Sequence, residues 1–190
     1  HRYGRFRPGS HHKASIKIKD GKVTGWSHRI VSQGVMRGFV EGFVGDTMPM
    51  LPGFVASAAK LSTGLGMFPD AVAVEVAKDI PYSVENILVE HAQDYSEIPV
   101  GFWRSNGASS NAFVIETLID EAAEKLGVDP VEFRREMLGN SPEYHDVLNA
   151  IVDQASAAGE TPKGRARGFA VAKLYDTPVA MIAEVSVDKR

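Results

Sequence analysis

Arg104-Ser105-Asn106-Gly107 stands between an apolar stretch that ends at Trp103 and a helical pattern that begins at Ser109. These four residues are too polar and too turn-prone for either element. The first helical turn then carries Ser109, Ser110 and Asn111. A helix N-terminus offers unpaired backbone N–H groups and the positive end of the macrodipole, so an anion is favoured there. A guanidinium beside it adds a permanent charge. The chemistry open to this spacing is recognition of an anion or an oxo group by Arg104, Ser105, Asn106 and Gly107. The competing reading is structural: an arginine at a helix start can satisfy the carbonyls of irregular backbone.

Glu116 lies twelve positions after Arg104 and flanks the apolar face of the same helix. A carboxylate there must be paired if it is buried. Its candidate partners are Arg104 and the pair Arg134-Arg135; an edge position that reaches water is the alternative. His11-His12 has no third ligand at helical or hairpin spacing, and a metal site needs more than two, so no metal site is expected. GxSxG, Walker, HExxH and GxGxxG patterns are absent.

Several element patterns position these groups. Ala14–Val31 reads as a hairpin around Asp20-Gly21, a pair suited to a type I′ turn, with Gly25 suggesting a bulge. Gly34–Asp70 is apolar but aperiodic and reads as a packed excursion or a pocket wall. Strands are expected within 86–103, from Asn86 to Gln93 and from Val100 to Trp103. Helices fill 109–158. Ser109–Leu126 has the clearest apolar stripe, with Ala112, Ile115, Leu118, Ile119, Ala122 and Leu126 at helical spacing. Asp129-Pro130 and Ser141-Pro142 supply N-cap and N1 residues for the next two helices. Residues 159–168 read as a basic connector, followed by strands at Phe169–Leu174 and Val179–Val187. The expected class is α+β: a mixed, mainly antiparallel sheet with about three helices.

The 190 residues are 44% hydrophobic and 24% charged, so a core can form. The net charge of −3 argues against a nucleic-acid partner. The chain contains no cysteine, which excludes disulfides, thiol nucleophiles and Fe–S ligation by this chain. No run of about 18 uncharged apolar residues suggests a transmembrane segment. "HRYGRFRPGS" reads as the interior of a longer polypeptide, so an excised fragment is expected.

"GFWRSNGASSNAFVIETLIDEAAEKLGVDPVEFRREML" resembles the large, molybdenum-cofactor-binding subunit of the xanthine dehydrogenase/aldehyde oxidase family. The nearer branch is that of the isoquinoline 1-oxidoreductase beta subunit and related bacterial aldehyde dehydrogenases. Arg104, Glu116, Asp129-Pro130 and Arg134-Arg135 match the family pattern. "RFRPGSHHKASIKIKDGKVTGWSHRIV" and "GRARGFAVAKLYDTPVAMIAEVSVD" resemble further segments of the branch.

The resemblance implies that Arg104, Ser105, Asn106 and Gly107 line a molybdenum-pterin cofactor, with Glu116 and Arg134 in support. Asn106 would stand where many relatives place an aromatic residue against the substrate. The implied activity is hydroxylation of an aldehyde or N-heterocycle with water-derived oxygen, electrons passing to an Fe–S partner subunit. Residues 1–158 would belong to the first molybdopterin-binding domain and 159–190 to a linker and the start of the next strand region. The general base is expected outside this chain, so the isolated fragment is expected to be inactive and to bind no cofactor. A non-catalytic α+β module that binds anions or a partner is the rival reading.

Overall fold

The computed structural model describes residues 6–36, 54, 58, 61, 70–95 and 98–188. Most of the apolar segment Gly34–Asp70 lies outside the described residues. The elements, in chain order, are β1 (Ser10–Lys19), β2 (Lys22–Gln33), β3 (Asn86–Asp94), α1 (Ala108–Leu126), α2 (Pro130–Met137), α3 (Pro142–Ala157), β4 (Arg165–Leu174) and β5 (Thr177–Ser186). The α+β expectation holds, with a three-stranded sheet of order β1-β2-β3 and a two-stranded antiparallel sheet of β4 and β5. The chain forms two compact units. One contains His1–Ser15, Trp26–Asp79 and Ile87–Val114; the other contains Ile16–Gly25, Ile80–Asn86 and Ile115–Arg190.

Asp20 and Gly21 turn the first hairpin with φ of 50° and 76°, the double positive value that a type I′ turn needs. Gly25 serves close approach: a Cβ there would stand 3.3 Å from the Cβ of Lys17. In the first unit, β2 buries alternate residues, Trp26, His28, Ile30 and Ser32. The two polar ones are met from the neighbouring strands. His12 of β1 lies 3.0 Å from His28, and His91 of β3 lies 2.9 Å from Ser32.

In the second unit, Ile115, Ile119, Ala122 and Ala123 form the buried stripe of α1. Gly127, at φ 69°, ends the helix, and the N–H of Val128 donates to the carbonyl of Ala123. Asp129 then caps α2, its Oδ1 accepting from Val131 N and Glu132 N at 2.9 and 3.1 Å. Pro142 opens α3, and Ser141 makes no side-chain capping bond. Tyr144 and Leu148 are the buried residues of α3. Tyr175 and Asp176, at φ 50° and 60°, turn β4 into β5. No helix among the described residues is long and apolar enough to cross a membrane.

Two expectations need correction. The strand expected at Val100–Trp103 is only a parallel bridge between Phe6 and Val100. Pro99 has no N–H for a ladder, and the bridge uses its carbonyl instead, which accepts from Phe6 N at 2.9 Å. The connector expected at 159–168 is shorter, because β4 already begins at Arg165. Arg165 and Arg167 belong to that strand and bind Glu184 of β5 at 2.8 and 2.7 Å.

Candidate functional site

The hinge before α1 is a locked turn. Asn106 N donates to the carbonyl of Trp103 at 3.0 Å, and the Oδ1 of Asn106 accepts from Trp103 N at 3.1 Å. Ser105 and Asn106 adopt φ of 60° and 32°. The second value suits an asparagine, whose short polar side chain stabilises left-handed backbone locally. Gly107 follows in a place that admits no side chain. A Cβ there would stand 2.6 Å from the carbonyl oxygens of both Val72 and Ala73. The turn formed by 71–79 is itself held by Asp70, whose Oδ1 accepts from Val72 N at 3.0 Å.

Satisfaction of the hinge carbonyls falls to Arg7. Its guanidinium donates to the carbonyls of Arg104 and Asn106 at 2.7 and 3.1 Å, and to Ser109 Oγ at 2.9 Å. The structural role that the sequence allowed Arg104 is thus performed by another arginine, 97 positions away. Among the described residues, the exposed Arg104 side chain makes no hydrogen bond and no ion pair. Its charge stays available just before the first turn of α1, where the N–H groups of Ala108 and Asn111 already donate to the carbonyls of Ser105 and Gly107 at 2.7 and 3.0 Å. Asn111, fully buried one turn on, donates from Nδ2 to the carbonyls of Ala73 and Glu75, both at 2.8 Å. Its Oδ1 has no donor among the described residues. Arg7 gave no sign of its role in the sequence. Asn111 gave a faint one, a polar residue four positions before Ile115 in the buried stripe.

Glu116 and Arg134 meet in the second unit. Arg134 Nε donates to Glu116 Oε2 at 3.0 Å, and Tyr82 Oη and Val171 N donate to the same carboxylate at 2.7 and 2.9 Å. Arg134 also donates to Asp120 Oδ1 at 2.6 Å and to the carbonyls of Pro130 and Glu116. The acid chosen from the sequence finds Arg134 rather than Arg104. Burial pushes the Glu116 carboxyl up, and the Arg134 guanidinium pulls it back. Burial and the Glu116 charge raise the Tyr82 hydroxyl well above its ordinary value. Tyr82 and Val171 were not foreseen; nothing in their local patterns marks them.

The imidazoles His12 and His28 share a hydrogen bond in the first unit, and burial lowers His28 to about 4. No cluster of three metal-ligating side chains occurs among the described residues.

Residues 58–138 match the family model described as a molybdopterin cofactor-binding domain, a span that contains the hinge, Glu116 and Arg134. That span is similar to part of a molybdopterin cofactor-binding domain. The chain is 30% identical over 129 residues to a subunit of nicotinate dehydrogenase from Pseudomonas putida, covering 58% of this chain and 11% of that protein. It is 26% identical over 117 residues to the isoquinoline 1-oxidoreductase beta subunit of Brevundimonas diminuta, covering 60% and 14%. The fold matches aldehyde oxidoreductase from Desulfovibrio gigas with a TM-score of 0.59 at 19% identity, covering 90% of this chain and 18% of that one. Quinoline 2-oxidoreductase from Pseudomonas putida 86 gives 0.52 at 18% identity, covering 86% and 21%. The chain therefore spans only a small part of the relatives it matches.

The hinge within the matched segment fits an anionic, oxygen-rich group. Its donors are an uncommitted guanidinium and the N–H groups of Ser109 and Ser110, set on backbone that other residues hold still; the N–H groups of Ala108 and Asn111 already donate to the carbonyls of Ser105 and Gly107.

Proposed function

We propose that this chain forms one wall of the active site in the large subunit of a molybdenum hydroxylase. The observation that carries the reading is Arg104: an exposed cation, unpaired among the described residues, on a turn fixed by Arg7, Asn106 and Gly107, inside the segment matched to the cofactor-binding family. Arg104, the backbone of Ser105, Asn106 and Gly107, and the N-terminus of α1 would hold the molybdenum-pterin cofactor. When bound, that group supplies the oxidation that adds water-derived oxygen to an aldehyde or N-heterocycle carbon.

The roles of the chain's own residues follow from their contacts. Arg104 presents a positive charge to the oxygen-rich ligand. Arg7 fixes the two carbonyls that set the direction of the Arg104 backbone. Asn106 closes the turn and so commits its side-chain carbonyl to structure rather than to substrate. Glu116 and Arg134 act in support, fastening α1 to α2 and β4 within the second unit. Proton removal is assigned to a group elsewhere in the parent subunit. Electrons leave through an Fe–S partner subunit, and residues 1–158 and 159–190 divide into the first cofactor-binding domain and the start of the next region.

The rival, a non-catalytic anion-binding module, would use the same free arginine and helix terminus. The family match over 58–138 favours the cofactor. Elemental analysis of the complete parent subunit tests the choice. Molybdenum near one per subunit, with oxidation of aldehydes or N-heterocycles by an artificial acceptor, is the expected result. A folded parent without molybdenum would favour the rival.

A further inference from the structure

Val76 adopts φ of 69°, in the left-handed region, although it is β-branched and buried. That region crowds Cβ against the following carbonyl, and a branched Cβ makes the crowding worse. The other described residues with positive φ are Asp, Ser, Asn, Tyr and glycine, none of them β-branched. Strained backbone of this kind persists only where its surroundings over-determine it, and it gathers at functional sites. The restraint on Val76 comes from Asn111. The Glu75 carbonyl belongs to the peptide unit that leads into Val76, so a return of Val76 to negative φ would swing this carbonyl away. Asn111 Nδ2 holds it at 2.8 Å and the Ala73 carbonyl at 2.8 Å, which occupies both N–H donors of the amide. Asn111 is fully buried, and its Oδ1 has no donor among the described residues. An unpaired buried acceptor is itself unfavourable. A strained valine and a half-satisfied amide therefore meet at one contact. That contact bears on the hinge: the Ala73 carbonyl held by Asn111 is one of the two that a Cβ at Gly107 would meet at 2.6 Å.

We infer that Asn111 is a positioning residue: it clamps the turn at 71–79 in its strained form, and through the contact of Ala73 with Gly107 that turn sets the backbone carrying Arg104. The functional side of this inference rests on the reading of Arg104 as part of the cofactor site. The clamp has a signature that a merely stabilising residue lacks. Glycine adopts a φ of 69° without strain, so with glycine at position 76 the turn keeps its shape unclamped. A change at Val76 should therefore rescue the loss of Asn111. No such rescue is expected if Asn111 only adds to the stability of the fold, because Val76→Gly removes a buried side chain and lowers that stability further.

The test uses the complete parent subunit as wild type, Asn111→Ala, and the double variant Asn111→Ala with Val76→Gly, beside Arg104→Ala. Backbone hydrogen exchange over 103–107 reports the hinge directly, and turnover per molybdenum reports its use. Asn111→Ala is expected to speed hinge exchange about tenfold and to lower turnover per molybdenum at least about fivefold. The double variant should bring both within about twofold of wild type, although its unfolding midpoint falls below that of Asn111→Ala. Unchanged hinge exchange in Asn111→Ala, or a double variant whose hinge exchanges as fast as that of Asn111→Ala, would overturn the inference. So would normal turnover in Asn111→Ala where Arg104→Ala is impaired. If Asn111→Ala does not fold, the double variant decides: a folded protein with wild-type hinge exchange supports the clamp, and an unfolded one or a fast-exchanging hinge refutes it. If Arg104→Ala keeps full turnover, the cofactor reading has failed, and the exchange pattern alone decides whether Asn111 sets the hinge.

Discussion

Gly107 shows how a single hydrogen atom holds the hinge together. The Cβ of any other residue would lie 2.6 Å from two carbonyl oxygens, far inside van der Waals contact, and both are backbone atoms that cannot rotate away. Gly107→Ala should therefore shift the turn at 71–79 or the start of α1, destabilising the protein by about 1–3 kcal/mol, measured by thermal or urea unfolding. Unchanged stability would mean that the two segments are not in contact. Glu116 and Arg134 pose the opposite case, a buried ion pair. Removing Arg134 leaves the buried Glu116 carboxylate without a cation, and removing Glu116 leaves the buried Arg134 guanidinium with Asp120 as its one remaining carboxylate among the described residues. Glu116→Ala and Arg134→Ala should each cost about 3–5 kcal/mol, and the double variant should cost clearly less than their sum. Additive effects in that double-mutant cycle would contradict the direct pairing.

At the scale of elements, the sheet β1-β2-β3 carries a pH dependence. His28 is buried beside His12, and burial followed by the His12 charge holds it down to about 4. Its ordinary value is 6.5, so the unfolded chain binds the proton more readily than the folded one. Stability should thus be fully present above about 6.5 and fall as pH drops towards 4, with a slope of at most roughly 1.4 kcal/mol per pH unit from this group. His12, which faces His28 across the strands, is also lowered by burial and acts in the same direction. His91, meeting Ser32 from β3, is lowered as well and adds to the same slope. A His28→Gln variant should show a shallower loss between pH 6.5 and 4; an identical pH profile would contradict the assignment. The elements themselves were largely legible. The stripe of α1, the Asp129 cap and the Asp20-Gly21 turn are local signals, and each stands within a residue or two of its expected place. What could not be read was long-range. Arg7 binding the hinge, Tyr82 and Val171 binding Glu116, and Phe6 replacing a strand partner at Val100 all join distant positions. No periodicity encodes such pairs. The turn at the four hinge residues was legible, but the sequence offered two roles for Arg104 and could not choose between them.

At the scale of the whole molecule, the hinge is a preformed part of the proposed cofactor site. The matched relatives are far longer than this chain, so the decisive measurement belongs to the complete parent subunit. Two arginines separate folding from function there. Arg7 holds three groups of the hinge, so Arg7→Ala should lower stability by about 1 kcal/mol or more. Arg104 has no partner among the described residues, so Arg104→Ala should leave the unfolding midpoint unchanged. The most direct test is therefore the molybdenum content and turnover of parent Arg104→Ala, read beside its thermal unfolding. The expected result is wild-type stability with molybdenum occupancy or turnover reduced at least about tenfold, a loss of roughly 1.4 kcal/mol or more at the site. Full occupancy and full turnover in a stable Arg104→Ala parent would contradict the assignment of Arg104 to the cofactor.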